Sequence, residues 1–457
     1  MIHINKKYVV LLIVVFALIL TVSLTARQRY VDGQNAAALA EAKAQMKLQK
    51  EKEEKDALEE YAKKHPDEIF SFSKKENNVL LITLDRAISM YFPYIMEELP
   101  ETAKSFEGFT FYSQTLSYGS NTIFGTPPIF GGYAYTPEAI NERDDELLVD
   151  KHNEALRLLP TIFKENGYNV TVCDPPIANY DWNSDLSIFD DLGITTKNFL
   201  LAVDENGVET SEEDRFQQNY TELQNLSNIT NNMGTKGAFI TFDNELPHRF
   251  KYLQMPKYEY TDSYPNNSGY TNQRSLSNGD IITFSEYMQN LHYHVNAASL
   301  RMLGEYFDYL RSLGVYDNTK IIIVADHGYG LNQMYDFHYG ASDLMYYNPL
   351  LLVKDINAKG DIKYDNTTLM TTADVPVLAT EGIIKDAKNP YSGKLLKDEV
   401  NKDEVHVLIS HKWDIRTYAF DATTYGSYQF FNFKGSDIYD VNNWSVKNIY
   451  PTKKGDK

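Results

Sequence analysis

The sequence predicts an α/β fold: a mostly parallel sheet sandwiched by helices, with a small antiparallel C-terminal subdomain and an N-terminal transmembrane helix. Three observations carry this reading. Short apolar runs rich in β-branched residues, of which Ile321–Val324 is the clearest, alternate with helical patterns over about 300 residues, as parallel sheets require. Several of those runs stop in an acid, at Asp85, Asp243 and Asp326. Beyond Glu404 the pattern changes to short alternating runs, VHVLIS, RTYAFDA and SYQFFNF.

The elements follow in chain order. Residues 1–7 are a short basic tail, and 8–26 are 19 residues without a charge, flanked by Lys6-Lys7 and by Arg27 and Arg29. That length crosses a bilayer as a helix, and Leu24 breaks the small-x-small pattern of a cleavage site, so an uncleaved anchor is expected. Residues 27–66 contain a run of Ala, Glu, Lys and Leu with few apolar positions and charges of both signs, which predicts a solvated helical stalk ending at His65-Pro66. A catalytic region is expected over 77–395 and the antiparallel subdomain over 404–457. Within the first, strands are predicted at 78–85, Asn169–Cys173, Gly237–Asp243, Ile321–Val324 and Pro349–Val353, and helices at 100–106, 153–166 and 284–313. The stretch 211–278, polar and rich in Asn, Ser and Tyr outside its strand, is expected to form long loops over the active face.

The net charge of −19 leaves no basic surface to neutralise a phosphate backbone, which excludes nucleic acid as a partner. A lone cysteine, Cys173, excludes an intrachain disulfide and a cysteine-based zinc site.

Open α/β sheets bind ligands beyond the carboxyl ends of their strands. Asp326-His327-Gly328 stands there, and a carboxylate with an imidazole are ordinary ligands for a Zn²⁺-like or Mn²⁺-like ion. Alone, the same residues would equally serve as a cap and turn. Asp85 and Asp243 end other strands, and His248 and His338 follow soon after two of these strand regions, a set that suits a divalent metal polarising a phosphoryl or sulfuryl oxygen. Residues 109–128 are dense in hydroxyls, and one at a helix N-terminus beside a metal can act as nucleophile, although a capping role explains such residues as well.

NVLLITLD, the GSNT…P segment, ELPH, VADHG and FHYG, in this order, resemble the alkaline phosphatase superfamily, and its membrane-anchored sulfatase-like transferases in particular, the lipoteichoic acid synthases and phosphoethanolamine transferases. TADVPVLATEGI and NPYSGKLL resemble the late part of these domains. The resemblance implies that Asp85, Asp326 and His327 hold a divalent metal, Zn²⁺ or Mn²⁺, with Thr122, spaced before Pro127, as nucleophile and metal ligand and Ser120 as the alternative. It implies that His248 and His338 contact substrate phosphate or a second metal; Asp243 is added to that group from its strand-end position alone. No C/S-x-P-x-R signature occurs in Ser113–Phe130, which argues against sulfate ester hydrolysis. Asp85 stands where the phosphoethanolamine transferases carry Glu, no cysteine is near the nucleophile, and one apolar stretch replaces the several spans of both transferase groups.

The expected function is an extracytoplasmic, single-pass membrane phosphotransferase. It would move a phospho-headgroup from a membrane phospholipid to a glycan, polymer or lipid acceptor of the cell envelope through a threonine-linked intermediate, with room for a membrane-protein partner. A phosphodiesterase or phosphatase, and an inactive anchored scaffold, are the alternatives.

Overall fold

A computed structural model describes residues 41–43, 45, 49, 68–204, 206–334, 336–418, 421–426 and 428–449. The expected membrane span at 8–26 and most of the stalk lie outside these residues, although residues 41–43, 45 and 49 are helical. Among the described residues no helix is long and apolar enough to cross a membrane.

The unit Asp67–Lys457 is built around an eight-stranded sheet. In chain order the strands are β1 (Asn78–Leu84), β2 (Phe109–Tyr112), β3 (Asn169–Cys173), β4 (Thr195–Lys197), β5 (Ala238–Asn244), β6 (Thr319–Val324), β7 (Leu351–Lys354) and β8 (Lys363–Asp365). Their spatial order is β8-β2-β7-β6-β1-β5-β3-β4. β7 runs antiparallel to both of its neighbours, β6 and β2. The sequence shows β7 as an apolar run but not its direction, because side-chain alternation is the same whichever way a strand runs.

The strands β1, β5, β6 and β7 are buried on both faces, so their residues alternate between two cores. Leu80, Ile82, Ile240, Phe242, Ile321 and Ile323 face one, with the inner side of the long helix Tyr287–Ser312. Val79, Leu81, Phe239, Ile322 and Val324 face the other, against helices α1 (Thr122–Gly131) and α2 (Leu148–Glu165), where Phe163 stacks on Phe239 at 4.2 Å. Ahead of the expected start near Asn77, a strand at Phe70–Ser73 pairs with Thr230–Gly234 and buries Phe70 and Phe72.

Two expectations need revision. The polar stretch 211–278 contains a regular helix, α3 (Glu212–Asn225). Ser211 caps it by accepting from Asp214 N, three acids occupy its first turn, and Phe216, Tyr220 and Leu223 recur on one buried face. In the C-terminal region, 405–409 and 428–433 are strands as expected and pair antiparallel, with Trp444–Ile449 as the third strand. Among its described residues the middle run is not part of this sheet: Asp414 accepts from Arg416 N and turns the chain into a 3₁₀ segment at Ile415–Thr417.

Candidate active site

The register of the sheet brings the acids together. Val324 stands beside Thr83, and Thr83 beside Asp243, so three adjacent parallel strands, β6, β1 and β5, end at one edge. Asp85 is the first residue to leave β1 and Asp326 the second to leave β6, while Asp243 is still within β5. One ligand atom from each of Asp85, Asp326 and His327 lies within 4.8 Å of the others.

This cluster is chemically incomplete without a cation. Asp85 Oδ1 and Asp326 Oδ2 are buried and have no hydrogen-bond donor. His327 Nδ1 lies 2.6 Å from Gly328 O, so that nitrogen carries the proton, and Nε2 faces Asp85 at 3.7 Å and Asp326 at 3.6 Å. Burial pushes Asp85 up to about 7, reinforced by Asp326, and pushes Asp326 up to about 6 despite hydrogen bonds from His327 N, Thr122 and Arg86 N. Burial also lowers His327 to about 4, keeping its ring neutral. Three converging acceptors with no donor between them fit a divalent cation.

Thr122 is the first residue of α1, and its Oγ1 lies 3.5 Å from Asp85 Oδ2 at the positive end of the helix dipole. Ser120 lines the same cavity, but its hydroxyl donates to Asn121 Oδ1 at 3.0 Å. The loop and helix fit because two positions lack a side chain. A Cβ on Gly119 would lie 2.4 Å from Phe124 Cβ, and one on Gly125 would lie 2.3 Å from Asp326 O.

Thr122 opens onto a cavity of about 630 Å³ whose wall includes Asp85, Asp243, His248 and His327. Burial, then Asp85 and Glu245, raises Asp243 well above its ordinary value. Burial lowers His248 well below its ordinary value, with Arg86 and Arg249 adding to the effect. His338 is not on this wall. It lies in a short hairpin, with Nδ1 bonded to Met334 O and Nε2 to Asn332 Oδ1.

The wall also holds residues that sequence patterns did not single out. Arg86, Arg215 and Arg249 form a basic side in an acidic chain. Burial alone would raise Glu245, but Arg249 and Arg215 outweigh it and hold the carboxyl below its ordinary value. Arg86 adopts a left-handed φ of 65°, stacks over Tyr329 at 4.9 Å and keeps a buried Nε without a partner. Its place directly after a strand-end acid was the available signal, as was that of Arg249 after His248. Behind this wall His292, on the long helix, is fully buried and packs against Phe250 and Tyr329.

A comparison with curated proteins finds no match. Among solved structures, the chain is similar to a protein of the alkaline phosphatase superfamily from Vibrio parahaemolyticus, with 17% identity, 83% of this chain and 84% of that one covered and a TM-score of 0.45. It is similar to the lipoteichoic acid synthase LtaP from Listeria monocytogenes (12%, 82% and 86%, TM-score 0.39). The phosphonate monoester hydrolase SpPMH from Silicibacter pomeroyi is a third (12%, 83% and 90%, TM-score 0.42). A family model described as sulfatase matches residues 77–367, which run from the first strand of the sheet to its last and make up well over half of the sequence, and the chain therefore belongs to the sulfatase family.

Proposed function

We propose that the protein is a metal-dependent phosphotransferase in which Thr122 accepts a phospho-headgroup from a membrane phospholipid and passes it to an acceptor hydroxyl of the cell envelope. One observation carries the reading: the Thr122 hydroxyl stands at a helix N-terminus 3.5 Å from Asp85, beside three buried acceptors that have no donor among them.

Asp85, Asp326 and His327 would hold the cation, with Thr122 as the fourth ligand and Zn²⁺ or Mn²⁺ as candidates; bound there, it supplies Lewis acidity that favours ionisation of the hydroxyl. Thr122 Oγ1 then attacks phosphorus. A bond from Oγ1 to phosphorus forms, the bond from phosphorus to the diacylglycerol oxygen breaks, and the threonine proton leaves with that oxygen. In the second half the acceptor hydroxyl attacks the phosphothreonine and restores Thr122. Arg86 and His248, the latter kept neutral by burial, would receive phosphoryl oxygens or move the proton, a reading supported by their position on the cavity wall. His338, expected to contact substrate phosphate or a second metal, bonds Met334 O and Asn332 Oδ1 and is assigned no step in this scheme.

The uncharged stretch 8–26 supports a single-pass anchor with the catalytic region outside the cytoplasm. The full chain in detergent, incubated with metal and phosphatidylglycerol or phosphatidylethanolamine, should acquire a mass adduct that names the headgroup. The adduct should disappear with Thr122→Ala or a chelator. Headgroup release without any adduct, unaffected by Thr122→Ala, would overturn the reading.

A further inference from the structure

Helix α1, which begins with Thr122, carries two prolines in its interior, Pro127 and Pro128. In an α-helix the N–H of residue 127 bonds to the carbonyl of residue 123. Proline has no N–H, so Ile123 O, one residue after Thr122, lacks its regular donor. Ile123 is fully buried, and a buried carbonyl left without a donor is costly. The turn is weakly secured at its start as well. Phe124 N and Gly125 N both donate to Asn121 O, at 2.9 and 3.0 Å, and the Asn121 side chain makes no capping bond.

The missing donor comes from the C-terminal region. The Tyr425 hydroxyl donates to Ile123 O at 3.2 Å in a buried contact. Burial raises this hydroxyl above its ordinary value, so it remains protonated and able to donate. The Tyr425 ring stands edge-on against Phe124 at 5.0 Å and Tyr418 at 5.7 Å, and Tyr425 N donates to Asn141 Oδ1 at 2.8 Å. At the other end of the loop, Leu408 N donates to Tyr118 O at 2.9 Å. Leu408 and Tyr425 both lie beyond residue 367, where the match to the family model ends.

We propose that Tyr425 is a positioning residue for Thr122: its hydroxyl stands in for the N–H that Pro127 lacks and fixes the first turn of α1, which holds the Thr122 hydroxyl beside Asp85. Without that bond the Ile123–Phe124 peptide unit is free to tilt, and the tilt passes to Thr122 through the chain. A residue that only filled space would need the ring but not the hydroxyl. The bond itself is independent of the reaction; its effect on turnover rests on the reading of Thr122 as nucleophile.

The test separates hydroxyl from ring. Tyr425→Phe keeps the ring against Phe124 and removes the donor, while Pro127→Ala returns an N–H to Ile123 O. The full chain in detergent is followed by hydrogen exchange in peptides covering 118–126 and, with Mn²⁺, by turnover of bis(p-nitrophenyl) phosphate. Exchange should quicken roughly tenfold in Tyr425→Phe and return close to the parent rate when Pro127→Ala is added. The kcat should fall roughly tenfold and recover in the same double variant, with KM little changed. Unchanged exchange in Tyr425→Phe, or a loss that Pro127→Ala fails to recover, would overturn the proposal. So would a kcat that stays at the parent value while exchange quickens. Turnover that survives Thr122→Ala would remove the positioning role together with the nucleophile, while exchange still reports on the bond, so the two failures are distinguishable.

Discussion

Gly125 and Asp326 approach so closely that any Cβ at position 125 would lie 2.3 Å from the Asp326 carbonyl oxygen. That approach sets the distance between the helix bearing Thr122 and the strand end bearing the Asp326-His327 pair. Gly125→Ala must therefore displace α1 from Asp326, since the obstructing atom is backbone and cannot rotate away. A shift of this kind far from the bond being broken costs roughly a hundredfold in turnover. Activity should fall by about that factor while circular dichroism stays native; unchanged turnover would show that the contact does not set the geometry.

Thr122→Ala should abolish turnover, by on the order of a thousandfold or more, because in the proposed mechanism it removes the group that accepts phosphorus. Ser120→Ala should stay within several-fold of the parent, as that hydroxyl is engaged with Asn121. The reverse pattern would move the nucleophile to Ser120.

Removing divalent metal should remove activity, and restoring Zn²⁺ or Mn²⁺ should return it. A cation that binds only the folded chain also stabilises it, by about 2.7 kcal/mol at a hundred times its dissociation constant. The thermal shift on metal addition should vanish in Asp326→Asn. A shift that persists in that variant would place the cation elsewhere.

His152 provides a pH test away from the metal cluster. It is fully buried, bonded through Nε2 to Pro176 O, and burial lowers it to about 4. The unfolded chain takes up a proton here below about 6.5, the folded chain only near 4, so stability is intact above 6.5 and is lost as pH falls through that window. His292 and His294, both lowered to about 3 by burial, act in the same direction. Urea midpoints should drop between pH 7 and pH 4.5, and His152→Gln should remove about one proton from the slope. An unchanged slope would mean that His152 is not a neutral buried ring.

In the proposed mechanism, transfer and hydrolysis differ only in what attacks the phosphothreonine. Adding an acceptor alcohol should divert product from free headgroup phosphate to the alcohol ester at the expense of water. Aryl sulfate should remain uncleaved, because the loop before Thr122 lacks the C/S-x-P-x-R signature. Release of sulfate would contradict the assignment.

Apolar runs of four to seven residues, their β-branched composition and the acids that end them are local properties, and for that reason β1, β3, β5 and β6 and the acids Asp85, Asp243 and Asp326 were legible in the sequence. The convergence of Asp85, Asp326 and His327 followed from parallel register alone, since adjacent parallel strands must end at one edge. Helix α3 was legible in principle from Phe216, Tyr220 and Leu223, but the Asn- and Gln-rich residues between them obscured the spacing.

Other features belong to the tertiary structure. The direction of β7, the hairpin that keeps His338 off the wall and the arginines that share the cavity with Thr122 all depend on which segments pack together. Sequence by itself determined which residues can do chemistry and at which strand ends they emerge, because periodicity and burial act over a few neighbouring positions. Only the folded chain decided which of them share a cavity, because loop paths and long-range packing, over separations such as that from Tyr425 to Ile123, are set by contacts that no local pattern records.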